Sequence, residues 1–551
     1  MVSGSGGSGG TGEHAVVAPG DSDAVRPPAG PREIGAAHPP AAPRDADDRH
    51  PPTALRRLAL PRLVIAGTGS GVGKTTVACG LIAALRARGE QVQGFKVGPD
   101  YIDPSYHALA SGRPGRNLDA YLAGPEMVAP LLAHGAAGAT VAVVEGVMGM
   151  FDGASGRGEL ASTAHVAKLV AAPVLLVVDA QATARSVAAI VHGFRTFDPA
   201  VRVAGVIFNR VGSPHHEQLL REAVAPLGVP VVGALPRDPR LATPERHLGL
   251  IPAGEREAAA RRTLAELGEA LARHLNLELA MAIARSAPPL DTSPWSPGGV
   301  LAPGLGEHRQ PVTVAVAGGP AFSFLYRENL ELLAAAGVEL AAFDPARDEE
   351  LPAGTAGLLL AGGFPERYSS ELAANARLRA AVRDLCAAGA PVLAECGGLL
   401  YLCESLDGKP MCGVIPARAW MTERLTLGYR EAQALARSGW LAAPAAVRGH
   451  EFHYSQVEPA DGDQLARALG WQSAWLLRSR SGERREGFVR GGVHASYLHT
   501  HWAAFPEMAL RFAGAVRAWA SAHAGAPTAA GQRPRDARES AGRASGVAQP
   551  T

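Results

Sequence analysis

The stretch GTGSGVGKTT (67–76) constrains the fold more than any other part of the sequence. An apolar run, LVIAG (63–67), precedes it, and a helical pattern, TTVACGLIAALRARG (75–89), follows it. A glycine-rich turn between a strand and a helix presents backbone N–H groups to phosphate oxygens, and the lysine adds positive charge. The alternative, a flexible glycine turn, is disfavoured because strand, helix and GKT occur together. The predicted nucleotide-binding residues of this loop are Thr68, Gly71, Val72, Gly73, Lys74, Thr75 and Thr76.

Short β-branched runs alternate with Ala- and Leu-rich helical segments in two blocks of the chain. This pattern predicts an α/β fold with two doubly wound domains, each a parallel sheet with helices on both faces. The predicted strands are 63–67, 91–97, 140–146, 173–179, 201–209 and 230–236 in the first block, and 312–318, 358–363 and 391–396 in the second.

Composition sets the expected boundaries, because Pro- and Gly-rich segments with few large apolar side chains cannot form a core. We expect a disordered extension (1–58), a phosphate-loop domain (59–283), a linker (284–311), a second domain (312–524) and a disordered tail (525–551).

The charge balance and the cysteines limit the function classes. The 53 Lys and Arg residues nearly match the 52 Asp and Glu residues, so no overall basic field favours nucleic acid as a partner. The five cysteines are an odd number without CxxC spacing, which argues against a disulfide framework and a zinc site. No apolar run reaches membrane-spanning length, and no secretory signal is recognised. We therefore expect a cytoplasmic protein with small-molecule partners.

Acidic residues follow two further predicted strands of the first block. FKVGPDYIDP (95–104) carries a lysine and two aspartates, and VVEGVMGMFDG (143–153) places Glu145 at the end of an apolar strand with Asp152 seven residues on. Because the carboxyl ends of parallel strands meet at one edge of a sheet, these carboxylates are expected near the phosphate loop. Carboxylate and hydroxyl oxygens suit Mg²⁺, so Glu145 and Thr75 are candidate ligands.

The stretch AECGGLLY (394–401) ends an apolar strand with a cysteine on a glycine turn before a helix. A lone cysteine at a strand end is more often a packed small side chain. Here GGFPE (362–366) ends the preceding strand with amides suited to an oxyanion hole, and GGVHASYLHTHWAAFP (491–506) supplies late histidines. Together these motifs predict that Cys396 is a nucleophile on a sharp turn, next to a helix N-terminus that favours the thiolate.

A strand, Cys-Gly-Gly, a helix and a late histidine resemble the class I glutamine amidotransferase domain, in which the cysteine attacks the side-chain amide of glutamine and ammonia is released. The resemblance implies that His499, in the YLH step, is the base. It also implies an oxyanion and glutamine site at Gly362, Gly363 and Phe364. Most members carry a glutamate two residues after the histidine, but this chain has His501 there. The resemblance therefore implies a Cys/His pair and leaves open which group orients His499.

The loop spacing GT-x-x-x-VGKT (67–75) resembles dethiobiotin synthetase, which phosphorylates a carboxylated intermediate. The full motif set resembles the a,c-diamide synthases of corrinoid biosynthesis, which act on cobyrinate or hydrogenobyrinate. The motifs are FKVGPDYIDP, NLD (117–119), VEGVMGMFDG, STAHVAKL (162–169), RHLGLIP (246–252), GGFPE, AECGGLLYL and RGHEFHYS (448–455). The resemblance implies ATP- and glutamine-dependent amidation of the c and a acetate groups through an acyl phosphate, with ATP and Mg²⁺ as cofactors.

The same resemblance implies roles for individual residues of the first block. Lys74 and Thr75 would hold phosphates and magnesium, and Asn209 would lie near the adenine. The residues implied in carboxylate activation or substrate binding are Lys96, Asp100, Asp103, Asp152, Ser162 and Thr163, and those implied in metal binding are Thr75, Asp100 and Glu145.

Two alternatives are less favoured. Cobyric acid synthase carries roughly Lys-x-Gln-Asn-Met where this chain has KVGPD (96–100). A nucleotide-dependent switch with a degenerate glutaminase domain conflicts with intact Cys396, His499 and GKT, and partition-type switches carry a lysine at the position of Gly69. The metal state of the macrocycle stays open, and a homodimer is the default expectation for the assembly.

Overall fold

The computed structural model describes residues 57–238, 257–304, 310–459, 468–479 and 482–524, which belong to one compact unit, Ala54–Thr551. The expected extension up to residue 56, the motif RHLGLIP and the expected tail (525–551) lie outside the described residues. No helix in these described ranges is long and apolar enough to cross a membrane.

The first domain is built on parallel strands and the helices that connect them. Its strands are β1 (Arg57–Leu58), β2 (Arg62–Gly67), β3 (Val92–Val97), β4 (Arg116–Leu118), β5 (Val141–Glu145), β6 (Val174–Asp179), β7 (Val203–Val211), β8 (Val231–Pro236) and β9 (Leu290–Asp291). Its helices are α1 (Lys74–Ala87), α2 (Asp103–Ser111), α3 (Pro125–Gly135), α4 (Thr163–Leu169), α5 (Val187–Thr196), α6 (Pro214–Val224), α7 (Glu257–His274), α8 (Leu277–Arg285) and α9 (Pro297–Leu301).

Seven of these strands form one sheet in the order β4-β3-β5-β2-β6-β7-β8, and every pairing in it is parallel. Both faces of the sheet are covered, as the side chains of β2 demonstrate. Leu63 and Ile65 pack into one apolar cluster, whereas Val64 and Ala66 pack into another. Strands that are buried on both faces consist of continuous apolar runs, so they could be predicted from the sequence.

The predicted linker (284–311) is partly built into the first domain. β9 pairs with β1, and α9 follows. Trp295 is buried, and its backbone N–H donates to the Pro130 carbonyl at 3.0 Å. Residues 290–301 therefore pack as elements of the fold, and 305–309 lie outside the described residues.

The second domain combines a mainly parallel sheet with a mainly antiparallel one. Its strands are β10 (Val312–Ala317), β11 (Val338–Phe343), β12 (Thr355–Leu360), β13 (Val392–Glu395), β14 (Ser405–Leu406), β15 (Lys409–Pro410), β16 (Ala417–Ala434), β17 (Ala446–Pro459), β18 (Trp475–Ser479), β19 (Gly482–Glu486), β20 (Phe488–Arg490), β21 (Val493–Ser496) and β22 (His499–Thr500). Its helices are α10 (Arg327–Ala335), α11 (Ser369–Ala374), α12 (Ala376–Ala387), α13 (Gly397–Leu402) and α14 (Glu507–His523).

The parallel sheet of this domain runs β11-β10-β12-β13-β21-β20, with only β20 antiparallel to its neighbour. Every predicted strand overlaps an observed one, and the predicted α/β architecture with two parallel sheets is confirmed. The sequence analysis missed the second sheet, β15-β14-β16-β17-β22 with β18 and β19 attached. The long strand β16 carries charged and polar side chains without regular apolar alternation, and its pairing with β17 shifts register after Met421.

The two domains contact each other through motif residues. The buried guanidinium of Arg116 in β4 reaches Glu328 at 2.6 Å and Glu331 at 2.5 Å, both in α10. The Tyr429 hydroxyl in β16 donates to Asp119 Oδ2 at 2.8 Å. The interface therefore contains buried ion pairs and a hydrogen bond, and it joins the NLD stretch (117–119) to the second domain.

Candidate active site

The phosphate loop joins β2 to α1 without a side-chain cap. The residue before the helix, Gly73, has a left-handed backbone with φ 97° and offers no side chain to cap the first turn. Lys74 Nζ donates to the Gly69 carbonyl at 2.8 Å across the loop. Burial, with help from Lys96, lowers the pKa of Lys74 to about 8. Uncapped N–H groups and a lysine on one loop form a site for phosphate oxygens.

Asn209, near the carboxyl end of β7, supports this loop. Its Nδ2 donates to the Val72 carbonyl at 2.9 Å, and a Cβ on Gly73 would lie 2.1 Å from that nitrogen. The neighbouring Arg210 donates to the Gly71 carbonyl at 2.9 Å. In the structure the Asn209 amide supports the phosphate loop, and the expected place of Asn209 near the adenine stays a prediction.

A cluster of charged side chains lies beside the loop, at the carboxyl ends of β2, β3 and β5. Thr75 Oγ1 donates to Glu145 Oε1 at 2.6 Å and lies 3.5 Å from Asp103 Oδ2. Lys96 Nζ bridges Asp103 at 2.5 Å and Glu145 at 2.7 Å. His107 Nε2 lies 2.7 Å from the other oxygen of Glu145. Residues predicted from three separate segments thus meet at one point.

Burial alone would lower the pKa of Lys96, but Asp103 and Glu145 raise it above the ordinary value. Burial would raise the pKa of Glu145, but Lys96 and His107 hold it below its usual range. Burial and the neighbouring carboxylates raise the pKa of Asp103. One hydroxyl with a Glu145 oxygen at 2.6 Å and an Asp103 oxygen at 3.5 Å from it fits a hard divalent cation such as Mg²⁺.

The other predicted residues of the first domain have local partners. Asp100 Oδ1 accepts from the backbone N–H groups of Ile102 and Asp103 at the start of α2. Asp152, an exposed residue, accepts from Gly149 N at 2.8 Å. Ser162 caps α4 by accepting from His165 N, and Thr163 Oγ1 exchanges hydrogen bonds with the backbone of Val147.

Ser162 and Thr163 are fully buried; the Ser162 hydroxyl caps α4, and the Thr163 hydroxyl holds Val147 in the loop after β5. A direct substrate contact by either residue stays a prediction.

Cys396 occupies a strained turn between β13 and α13. Its φ of 47° is rare for a residue with a side chain, and its backbone N–H donates to the Ser496 carbonyl at 2.7 Å. The turn needs the following glycines, because a Cβ on Gly398 would lie 2.3 Å from the Leu360 carbonyl oxygen. Strain of this kind between a strand and a helix is typical of a nucleophile elbow.

His499, in β22, lies beside this cysteine in a fully buried position. Burial alone would lower the pKa of His499, but interactions with Cys396 and Glu395 raise it to about 9. The imidazole therefore keeps its proton at neutral pH. Of the three late histidines, His494 packs between Trp440 and Trp475, and His501 Nε2 lies 3.6 Å from Glu328 Oε2.

The predicted oxyanion segment faces the same turn. Gly363 N lies 3.0 Å from the position that a Cβ on Gly397 would take, and a Cβ on Gly362 would lie 2.4 Å from His499 Cε1. The Phe364 N–H already donates to the Ala321 carbonyl at 3.0 Å. Gly363 is therefore the member of this segment whose amide lies next to the nucleophile.

Tyr101 connects the two clusters of functional residues. It stands between Asp100 and Asp103 in sequence, yet its ring stacks on Phe324 at 5.0 Å and lies 5.1 Å from the His499 ring, centroid to centroid. The segment that carries Asp100 and Asp103 therefore forms part of the wall around the histidine beside Cys396.

The comparisons with known proteins cover both clusters. Residues 63–251 match the CobQ/CobB/MinD/ParA nucleotide binding domain, and residues 313–507 match the CobB/CobQ-like glutamine amidotransferase domain. The hydrogenobyrinate a,c-diamide synthase of Streptomyces coelicolor is 55% identical over 481 residues, covering 82% of this chain and 97% of the relative. The chain belongs to the a,c-diamide synthase family.

More distant relatives carry the same family name. The hydrogenobyrinate a,c-diamide synthase of Mycobacterium tuberculosis strain H37Rv is 51% identical over 455 residues, covering 82% of this chain and 96% of the relative. The cobyrinate a,c-diamide synthase of Syntrophotalea carbinolica is 44% identical over 466 residues, covering 83% of this chain and 98% of the relative.

For this a,c-diamide synthase family member, the sequence analysis missed three residues that contact the predicted ones. His107 holds Glu145, Tyr101 packs on His499, and Glu395 Oε2 lies 3.6 Å from His499 Nδ1. Two of them stand inside motifs already quoted, FKVGPDYIDP and AECGG, so their positions were visible in the sequence. Nothing in the sequence indicated which way their side chains point.

Proposed function

We propose that this chain amidates the a and c acetate carboxylates of hydrogenobyrinate or cobyrinate, with ATP as the activating nucleotide and glutamine as the nitrogen donor. The observation that carries this proposal is the joining of the two clusters in one unit, with Tyr101 of the activation-site loop packed against His499. The names of relatives that match across both domains support the substrate class.

In the first step we assign activation to the phosphate-loop domain. Lys74 and the N–H groups at the start of α1 would hold the phosphates of ATP, and Lys96 with Asp103 would position the substrate carboxylate. The carboxylate attacks the γ-phosphorus, so an acyl phosphate forms and ADP leaves. Thr75 and Glu145 would hold Mg²⁺, which when bound neutralises charge on the transferred phosphoryl group.

In the second step we assign ammonia release to the second domain. Cys396 attacks the amide carbon of glutamine, and His499 gives its proton to the departing ammonia. The Gly363 amide would stabilise the oxyanion of the tetrahedral intermediate. Water then attacks the thioester, glutamate leaves, and the thiol is restored.

In the third step ammonia displaces phosphate from the acyl phosphate to give the amide. Ammonium predominates at neutral pH and is not a nucleophile, so release inside a closed path preserves the reactive form. We propose such a path from Cys396 to Lys74, past Tyr101. A cytoplasmic location and a homodimer stay predictions.

A parallel assay of both macrocycles with glutamine and with ammonium tests the proposal. Cys396→Ala is expected to abolish glutamine-dependent amidation and retain ammonia-dependent amidation, whereas Cys386→Ala, a buried cysteine of α12, should retain both. If Cys396→Ala left glutamine-dependent amidation intact, the nucleophile assignment would be wrong. Turnover of neither macrocycle by the unmodified protein, with either nitrogen source, would reject the substrate class.

The metal state of the macrocycle is tested in the same assay. The 55% and 51% identical relatives are named for hydrogenobyrinate and the 44% identical relative for cobyrinate, which supports the metal-free ring as the preferred substrate. Faster turnover of the cobalt-bearing ring would reverse this preference.

A further inference from the structure

The position where most class I amidotransferases carry a glutamate is used differently in this chain. His501 occupies that position, and its ring packs against Tyr326 at 4.7 Å between centroids. Its Nδ1 accepts from Ala503 N at 3.4 Å, and its Nε2 lies 3.6 Å from Glu328 Oε2. His501 thus faces α10, and its contacts belong to the interface that also holds Arg116.

A different carboxylate faces His499. Glu395, the last residue of β13, is 4% exposed, and its Oε2 lies 3.6 Å from His499 Nδ1. That nitrogen is buried and has no hydrogen-bond partner within the described part of the chain. A buried ring nitrogen with a carboxylate oxygen next to it is the arrangement expected of a base and its orienting group.

The carboxylate of Glu395 is itself held in place. Its Oε1 accepts from the Thr500 hydroxyl at 3.0 Å and from the Thr500 backbone N–H at 3.3 Å. Trp502 Nε1 donates to the same hydroxyl at 3.0 Å, so the threonine is fixed as well. One oxygen of the carboxylate is therefore anchored, which leaves the other directed at His499.

The remaining titratable groups around His499 do not offer an alternative. Cys396 is the group that His499 would act on, and Tyr101 contacts the ring from the first domain. The His450 ring in β17 stacks on it at 5.0 Å, and burial together with His499 lowers the pKa of His450 well below its ordinary value. A neutral imidazole and a phenol cannot replace a carboxylate as the partner of an imidazolium.

We infer that Glu395 is the positioning residue of His499 and takes the place of the third member of the class I triad. This inference rests on the proposed release of ammonia at Cys396. The carboxylate accepts the Nδ1 proton, which turns Nε2 toward the sulfur and stabilises the imidazolium that forms when Cys396 loses its proton. The strand that delivers the nucleophile would thus also orient the base, through adjacent residues.

The test compares Glu395→Gln with the unmodified protein in the glutaminase half-reaction. We expect kcat to fall roughly 10- to 100-fold with an unchanged KM for glutamine, because the base is misoriented while the substrate still binds. The decline of activity at high pH should move to lower pH, because removing the carboxylate lowers the pKa of His499. Ammonia-dependent amidation should stay unchanged, which also shows that the variant is folded.

Three further variants make the test decisive. Glu395→Asp keeps the charge and should return the alkaline decline toward that of the unmodified protein, and Glu404→Gln, an exposed glutamate just after α13, should change nothing. If Glu395→Gln lowered kcat without moving the alkaline decline, Glu395 would be structural and the inference would fail. Glu395 would also be structural if Glu395→Asp restored neither kcat nor the pH of the alkaline decline. The inference would fail as well if the alkaline decline moved in His501→Asn and not in Glu395→Gln.

Failure of the proposed function can be told apart from failure of this inference. If the proposed function is wrong, glutamine-dependent amidation survives in Cys396→Ala.

Discussion

The two functional clusters differ in how their residues are brought together. The phosphate-loop cluster collects Lys74, Lys96 and Glu145 from the carboxyl ends of neighbouring strands in one parallel sheet. The cysteine cluster combines a parallel strand end at Cys396 with His499 from the antiparallel sheet. A parallel sheet places all its carboxyl ends at one edge, so the first cluster follows from the order of strands. The second depends on how two sheets pack.

The clusters also differ in charge. The first contains several carboxylates and two lysines. Its opposite charges stabilise each other, as the raised pKa of Lys96 and the lowered pKa of Glu145 indicate. The second contains one imidazole whose pKa is raised to about 9 by Cys396 and Glu395 against the effect of burial. The charges of the first cluster suit the binding of phosphates and a cation, whereas the second cluster keeps one proton on His499.

The largest expected effect is on the first cluster. Lys74→Ala should lower amidation with glutamine and with ammonium alike by roughly 10³-fold, because the charge on the transferred phosphoryl group is no longer stabilised. Glutaminase activity measured alone should remain. Arg88→Ala, an exposed change just after the far end of the same helix, is the control. Full amidation by Lys74→Ala would contradict the acyl-phosphate route.

The next effect concerns the contact between the two domains. Arg116→Met should lower the free energy of unfolding by about 3 kcal/mol, since it leaves Glu328 buried without its cation. Chemical denaturation followed by tryptophan fluorescence measures this change. Arg57→Met, which removes a largely exposed ion pair with Asp291, should have little effect. Equal losses for both variants would mean that the buried pair contributes no more than the surface pair.

A smaller effect is expected from crowding the second cluster alone. Gly362→Ala places a Cβ 2.4 Å from His499 Cε1, so the ring must shift and glutamine-dependent turnover should fall about 10-fold or more. Ammonia-dependent amidation should not change. Gly514→Ala in α14, where a Cβ meets nothing within 4 Å, is the matched control. Loss of both activities in Gly362→Ala would show that the clusters are not separable.

The smallest effect is a difference in pH dependence. Glutaminase activity should persist through neutral pH and decline as the pH rises through about 9, because His499 then loses the proton that it gives to ammonia. Initial rates of glutamate formation between pH 6 and 10 measure this decline. A decline already complete at pH 7 would mean that the imidazolium is not stabilised by its neighbours.

The two parallel sheets, the phosphate loop and the cysteine turn could all be predicted from the amino-acid sequence. Each of these depends on local patterns: apolar runs, glycines beside a strand end, and a helix that follows at once. The second sheet of the second domain was not predicted, because β16 carries few apolar side chains in regular alternation. The places of Asp103, Glu145 and Thr75 just after parallel strands were enough to predict that they would meet.

The side chains and amides that meet in each cluster could be identified only in the folded chain. In this structure Asn209 supports the phosphate loop, Ser162 and Thr163 make local hydrogen bonds, and the Phe364 N–H donates to the Ala321 carbonyl. Glu395 stands next to Cys396 in sequence, but its closeness to His499 depends on packing between β13 and β22. Side-chain direction across sheets and domains is set by long-range contacts, which a local pattern does not contain.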